Sequence, residues 1–331
     1  AVANYSSNNI SVLMGDGSGG FAGAVNYSVG TNPAFVGVGD LNGDGKPDIV
    51  VANSGSGNVS VLLNSGSGTF PTRANYSAGT SPSAVAIGDL NRDGRPDIAV
   101  ANSGSDNVSV RLNSGSGTFP SKTNYSAGTA PRHLAVADLD GDGDLDIVVA
   151  NQGSNNVSLL SNNGSGLFGA AVNYAMGEGP SFVVAGDFDR DGKVDLAVAD
   201  YYEASVTVRL RSGSSYGSAM QYGVGTNPSS LSLVSLNADG RVDLVSTNEG
   251  DNNVSILLGN GDGSFRAGST HATGSSPTGL VSGDFNHDGA VDLISSNSGG
   301  NDVSILLGEP PPPNACFAGA SSSTAVSSPQ S

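Results

Sequence analysis

Tryptophan is absent from this 331-residue chain, a single cysteine is present, and basic residues and histidine are scarce. The lone Cys316 excludes an intrachain disulfide framework, so no covalent staple supports the fold and the thiol pattern assigns no compartment. With 13 Lys+Arg against 30 Asp+Glu, a net charge of −17, nucleic acid and anionic membranes are disfavoured partners. No apolar run is long enough to span a bilayer, and no secretory signal is seen; if the protein is exported, the sequence reads as the mature form. Catalysis has little to work with. Of the three histidines, His287 lies inside an acidic loop, and neither His133 nor His271 has a partnered acid or nucleophile recognisable in sequence.

Glycine and aspartate are what the chain has in quantity. Forty-nine Gly with a hydrophobic content of 37% imply thin cores and many tight turns. The aspartates fall into one recurring loop. In its first copy, Asp40 to Asp48, oxygen side chains stand at positions 1, 3, 5 and 9 (Asp40, Asn42, Asp44, Asp48), a Gly at position 6 permits the sharp turn, and Lys46 offers its backbone carbonyl. Hard oxygen ligands at this spacing suit calcium. The copies are Asp89/Asn91/Asp93/Arg95/Asp97, Asp138/Asp140/Asp142/Asp144/Asp146, Asp187/Asp189/Asp191/Lys193/Asp195 and Asp284/Asn286/Asp288/Ala290/Asp292. A weaker copy, Asn237/Asp239/Arg241/Asp243, begins with Ser235 and lacks the first carboxylate. The expectation is five strong calcium sites and a weaker one near Asn237. An EF-hand is excluded, because no Glu stands at position 12 and the flanks are Val/Ile-rich. Nineteen of the acidic residues occupy positions 1, 3, 5 and 9 of these loops, and six bound divalent cations would bring −17 to −5. The acidity therefore reads as metal affinity before it reads as a partner signal.

The loops start at residues 40, 89, 138, 187, 235 and 284, and a fixed period of this length marks a repeat architecture. Each repeat reads the same way. A small-residue strand (Ala34 to Gly39) enters the loop, a β-branched strand (Ile49 to Ala52) leaves it, a turn Asn53–Asn58 leads to a third strand (Val59 to Leu63), and a Gly/Ser turn ending at Phe70 leads to a fourth strand holding Asn75-Tyr76-Ser77. Residues 1–30 align at the same offset but lack the first strand and the loop, and the last repeat, 277–307, lacks the fourth strand. The predicted fold is all-β, a seven-bladed β-propeller of four-stranded antiparallel blades with incomplete first and last blades. A solenoid of the same units is the lesser alternative. The propeller is expected over 1–309; residues 310–331, four prolines and a Ser-rich stretch, form a spacer and tail read as a linker or a strand donor.

The Gly39-Asp40-Leu41-Asn42-Gly43-Asp44-Gly45 loop, the Leu167-Phe168-Gly169-Ala170 turn and the period together resemble the FG-GAP/VCBS repeats of bacterial extracellular proteins, the blade type of integrin α heads. The resemblance covers roughly residues 1–307. It implies calcium in the loop between strands one and two on the bottom face, and ligands on the opposite face, formed by Asn53–Asn58, Gly30–Phe35 and their copies. Most copies there are Asn/Ser/Gly. The departures are Tyr201, Tyr202 and Glu203, then Arg132 and His133, Glu178, and the aromatics Phe35 and Phe182. Departures from a repeat are where function is grafted on a scaffold, although drift on a surface loop is the commoner explanation of them.

The recurring aromatics read differently. Tyr27, Tyr76, Tyr125, Tyr174 and Tyr222 in the fourth strand, and Phe21, Phe70, Phe119, Phe168 and Phe265 in the preceding turn, are expected to pack blade against blade. The Asn-x-Ser pattern at Asn4, Asn9, Asn26, Asn58, Asn75, Asn107, Asn124, Asn156, Asn163 and Asn253 is either strand-edge chemistry or a set of glycosylation acceptors. The expected protein is a secreted or cell-surface, calcium-binding, non-enzymatic structural or adhesive module. Two mechanisms compete within that class: a subunit whose tail completes the open blade of the next copy to build a fibre, and a monomeric head that binds a glycan or a cell-surface protein through its loops. A polysaccharide-degrading enzyme is the least supported reading.

Overall fold

The computed structural model describes residues 1–237 and 239–309. The expected tail, 310–331, lies outside the described residues. Among those described there is no helix, and the strands form seven antiparallel sheets of three or four strands with one small accessory hairpin. The molecule is a seven-bladed β-propeller. Blade two shows the pattern: Pro33–Gly39, Asp48–Asn53, Asn58–Leu63 and Thr72–Ser77, hydrogen-bonded in sequence order. Blades three, four and six repeat it. Blade one has three strands, Val2–Asn4, Asn9–Val12 and Val25–Ser28, and blade seven has three, Pro277–Gly283, Asp292–Asn297 and Asp302–Leu306. The three-stranded first sheet falls where the repeat pattern placed it, and blade seven has three strands among the described residues.

By compactness the chain divides into two units, one of residues 1–12 and 25–175 and one of residues 13–24 and 176 onward. In the first, blades one to four share cores pairwise. Ile10, Val12 and Val29 of blade one meet Ile49, Val51 and Leu62 of blade two, and Val50, Val59 and Val61 of the other face meet Val85, Ile98 and Val100 of blade three. In the second, Ala197, Val206 and Val208 of blade five meet Leu231, Leu244 and Leu257 of blade six, and Val245 and Val254 meet Leu293 and Leu306 of blade seven. A blade's second strand is therefore buried on both faces, and Asp48–Asn53 shows no exposed residue at all. That is why it reads as a continuous β-branched run instead of an alternating one. Fourth strands such as Thr72–Ser77 are largely exposed.

Aromatic pairs lock successive blades. Tyr27 meets Phe70, Tyr76 meets Phe119, Tyr125 meets Phe168 and Tyr222 meets Phe265 edge-on, at centroid distances of 5.3, 5.5, 5.2 and 5.6 Å. Edge-to-face contacts of this kind add about 0.5–1.5 kcal/mol beyond area burial.

Blade five departs from the pattern. Between its third strand, Ser205–Arg209, and its fourth, Met220–Gly223, an accessory hairpin pairs Arg211–Ser212 with Ser215–Tyr216. Tyr216 takes the place of the usual Phe and donates its hydroxyl to the Val194 carbonyl at 2.9 Å.

Candidate functional site

The acidic loops all join the first and second strands of a blade, as the spacing predicted. Their shape comes from Asx hydrogen bonds. Oδ1 of Asp40 accepts from the Gly43 amide at 2.8 Å, Oδ2 accepts from the Gly45 amide at 2.8 Å, and Asp44 Oδ1 accepts from the Lys46 amide at 3.0 Å. Gly45 has a φ of 79°, the left-handed conformation that a side chain disfavours. The position-1 contact recurs at Asp89, Asp138, Asp187 and Asp284. Around Ser235, Asn237 and Asp239 still accept from amides two residues on, but no position-1 carboxylate exists.

Position 9 has a role that spacing alone did not disclose. Both oxygens of Asp48 accept backbone amides, Oδ2 from Leu41 at 2.9 Å and Oδ1 from Asn64 at 2.7 Å. The same clamp holds at Asp97 (Leu90, Asn113), Asp146 (Leu139, Asn162), Asp195 (Phe188, Arg211), Asp243 (Leu236, Gly259) and Asp292 (Phe285, Gly308). Each clamp ties the acidic loop to the turn leaving the third strand. Burial pushes the carboxyls of Asp97 and Asp146 up to about 6, against the pull of those amides, and raises Asp48, Asp195 and Asp243 as well. A cation beside such a carboxylate would favour its charged form, against the burial that penalises it.

In two loops the carboxylates converge tightly enough to hold a metal ion: Asp138, Asp140 and Asp146 offer oxygens within 4.8 Å of one another, and so do Asp187, Asp189 and Asp195. These are the two loops with Asp at position 3, where the others carry Asn42, Asn91, Asn237 and Asn286. The donor set is all oxygen, the set that hard cations take. In the last loop Asp288 Oδ1 accepts from the Ala290 amide and its Oδ2 from the side-chain amide of Asn286, at 2.8 Å each. An Asn at position 3 donates to the position-5 carboxylate instead of adding a charge, as Asn91 also does to Asp93 at 3.0 Å. Of the five loops expected to be strong sites, two bring three carboxylates together, and three, those of Asp40, Asp89 and Asp284, carry Asn at position 3.

The position-7 side chains fold back on position 5, as in Lys46 to Asp44 at 3.1 Å and Arg95 to Asp93 at 2.5 Å; Lys193 and Arg241 reach Asp191 and Asp239 similarly. Asp144 differs: its buried side chain receives the guanidinium of Arg92 from the preceding loop, and Arg92 also donates to the Asp142 carbonyl at 3.2 Å. Position 7, where Ala290 also stands, can contribute only a backbone oxygen in every loop but that of Asp144.

The second group of candidates divides. Tyr201, Tyr202 and Glu203 come together in the turn after Asp195–Asp200. The rings of Tyr201 and Tyr202 meet at 5.2 Å, Tyr201 donates its hydroxyl to Glu249 of the next blade at 3.0 Å, and Glu203 accepts from Gln221 at 2.7 Å. Tyr202 is 64% exposed, the most exposed large apolar side chain described. Beneath them lies Asp200, where the other complete blades have Asn53, Asn102, Asn151 and Asn248. Sequence reading did not single it out, although the lone Asp among asparagines was there to be seen. The remaining candidates are elsewhere: His133 is buried and packs on the Phe35 ring at 5.3 Å, Arg132 is exposed beside it, and Phe182 packs on the core of blade five.

The Asn-x-Ser pattern has a structural explanation. Asn53 donates to Asn58 and Ser60 at 2.9 Å each, and Ser60 donates to Asn75 at 2.9 Å, a polar ladder across three strands. It recurs from Asn4 through Asn9, Ser11 and Asn26, and from Asn102 through Asn107, Ser109 and Asn124.

Fold and loops together define a β-propeller whose blades each carry, with one exception, an oxygen-rich strand-to-strand loop. The sequence matches the FG-GAP-like repeat over residues 1–51, 40–100, 89–149, 138–198 and 236–295, and the chain belongs to that family. The stretch between 198 and 236, which holds the tyrosine pair, falls outside every match. A search of curated proteins found no matching sequence. Among solved structures, the chain resembles an Agrocybe aegerita lectin that recognises non-reducing terminal N-acetylglucosamine (20% identity, 97% of this chain and 92% of that one, TM-score 0.59). It also resembles the hydrazine synthase of Kuenenia stuttgartiensis (16%, 92% and 90%, 0.62) and a virginiamycin B lyase variant of Staphylococcus aureus (14%, 90% and 85%, 0.58). At these identities the likeness is one of fold. It includes binding proteins and enzymes alike.

Proposed function

We propose that this chain is a non-enzymatic extracellular recognition and adhesion module, stabilised by calcium in its acidic loops, with a ligand face at the blade-five turn. The observation that carries the ligand face is the concentration of departures at one place. Tyr201, Tyr202 and Glu203 replace the small polar turn of the other blades, in a stretch that the family repeat does not match, and they pair with Glu249 of the next blade and with Gln221. An exposed tyrosine ring beside carboxylate and amide acceptors suits a sugar: the ring stacks on the apolar face and the acceptors take hydroxyl hydrogens. The lectin of similar fold supports a glycan as the class to test first. Calcium is supported by the all-oxygen donor sets and the convergent carboxylates of blades four and five.

The test is a glycan array followed by calorimetry in millimolar calcium. The expected result is a saccharide whose affinity falls at least tenfold in Tyr202→Ala with the melting curve unchanged. Binding that survives Tyr202→Ala and Tyr201→Ala would sink the assignment of this face, and turnover of a bound polysaccharide would sink the non-enzymatic reading. A second reading, the self-assembling subunit, is favoured by the edge of blade seven, which pairs with no further strand among the described residues. It predicts filaments of the full chain in electron microscopy.

A further inference from the structure

The turn of blade five differs from its counterparts in charge as well as in aromatic content. Glu178 stands where Thr31, Thr80, Thr129 and Thr226 stand, Asp200 where Asn53 and its copies do, and Glu203 where Ser56, Ser105 and Ser154 do. Glu249 of blade six takes the place of Ser54 and Ser103. Four neutral polar positions have thus become carboxylates at one junction. No Lys or Arg stands within residues 176–182, 198–206 or 246–253, and among the described residues none of the four carboxylates is ion-paired.

Each of the four meets the tyrosine pair or the turn that holds it. The Glu178 carbonyl accepts the Tyr202 amide at 3.0 Å, Glu249 accepts the Tyr201 hydroxyl at 3.0 Å, and Glu203 accepts from Gln221 at 2.7 Å. Glu178 and Glu203 are exposed. A Cβ on Gly179 would run into the Tyr202 ring, and one on Gly177 into Asp200 and Glu203, so those two carboxyl groups face each other across Gly177. Asp200 supplies an observation independent of the surface charge. It is fully buried, Thr207 and Ser205 satisfy only its Oδ2, and its Oδ1 has no hydrogen-bond partner among the described residues. A buried carboxyl oxygen left unmatched costs free energy that a charged donor recovers.

We propose that this face selects saccharides carrying a free ammonium group, amino sugars in preference to neutral or N-acetylated ones. The ammonium has three donors to offer Glu203 and Asp200, and hydrogen bonds from a charged donor to carboxylates are the strong kind. The Tyr202 ring takes the apolar face of the sugar and adds attraction for the cation. An N-acetyl group brings one donor and no charge, and leaves the carboxylates unmatched. The inference rests on the glycan reading of this face and narrows its ligand class.

The test is calorimetry in millimolar calcium at about pH 6, where an aliphatic amine is protonated. Three probes are compared: the trisaccharide of glucosamine, its N-acetylated counterpart, and Nα-acetyl-lysine amide, which carries an ammonium without a sugar. The glucosamine trisaccharide is expected to bind at least tenfold more tightly than the N-acetylated one, and raised salt should narrow that ratio. The exposed pair Glu178→Gln with Glu203→Gln should bring the ratio to within about twofold with the melting curve unchanged, because only the charge is removed. Equal binding of the two trisaccharides, or a ratio that the double variant leaves unmoved, would overturn the charge selection and leave the ligand face standing. Nα-acetyl-lysine amide bound as tightly as the glucosamine trisaccharide would overturn the sugar as the recognised class. Binding of neither trisaccharide would overturn this proposal together with the glycan reading on which it rests.

Discussion

The hydroxyl of Thr207 donates to Oδ2 of Asp200 across 2.5 Å in the interior of blade five, reversing the hydrogen bond that Asn53 makes to Ser60 in blade two. In the ordinary ladder the buried amide is the donor and the next strand accepts. Here the buried group can only accept when ionised, and Thr207 and Ser205 supply the hydrogens. Burial drives the Asp200 carboxyl up to about 7, with Glu203 adding to the rise and the hydroxyls opposing it.

That shift has a sign. The folded state holds a proton that the unfolded chain releases near pH 4, so stability is full below that pH, falls as pH rises, and levels off above about 7. Asp200→Asn removes this contribution while keeping groups that can pair with both hydroxyls. Urea unfolding from pH 4.5 to 8.5 should show the variant gaining on the parent with rising pH, by on the order of 2–4 kcal/mol at the plateau. A gap independent of pH would show that Asp200 does not titrate in this way.

Removal of divalent cations should lower the melting temperature. An ion that binds only the folded protein adds about 2.7 kcal/mol per site at a hundredfold excess over its dissociation constant. Calorimetry in excess chelator and in millimolar calcium makes the comparison, and coincident curves would refute the calcium reading.

The clamp role of Asp146, which also offers an oxygen to the converging set, should be measurable apart from calcium. Asp146→Ala strands the amides of Leu139 and Asn162, and is expected to cost several kcal/mol with chelator present as well as with calcium, at about 1–3 kcal/mol for each unpaired buried group. The exposed Asp140→Ala is expected to cost stability in calcium and to fall within about 0.5 kcal/mol of the parent in chelator. Equal losses in both media for the two variants would remove the distinction.

Phe119 is fully buried between blades two and three, edge-on to Tyr76. Truncation to alanine is expected to cost about 3–5 kcal/mol, as for other buried phenylalanines. A loss below 1 kcal/mol in denaturant titration would mean that the blade interface collapses to fill the space.

Much of this architecture is legible in the chain because the repeat restates each signal. One Asp-x-Asn-x-Asp-Gly turn is ambiguous, whereas copies in register fixed the strand-to-strand placement of Asp40, Asp89 and their equivalents. The aromatic pairing of Tyr76 with Phe119 was likewise readable, since both recur at one spacing. Legibility failed where a blade departed from its neighbours. Asp200 with Thr207 is a compensated exchange of donor for acceptor, and in one dimension it looks like drift between asparagine and aspartate. The same small exchange at position 3 puts a carboxylate at Asp140 and, in the last loop, an amide at Asn286 that donates to Asp288. The accessory hairpin at Arg211–Tyr216 was hidden for a like reason.

The sequence by itself determined the fold class, the blade count, the incomplete first sheet and the oxygen-rich loops, because period, strand patterning and turn glycines are properties of neighbours along the chain. Tertiary structure decided what those groups do. It showed both oxygens of Asp48 and its copies spent on amides from two segments, His133 withdrawn against Phe35, and Tyr201 joined to Glu249 of the next blade. Each is a contact between residues distant in sequence, set by how one blade lies on another, and burial then tuned the charge of the groups it enclosed.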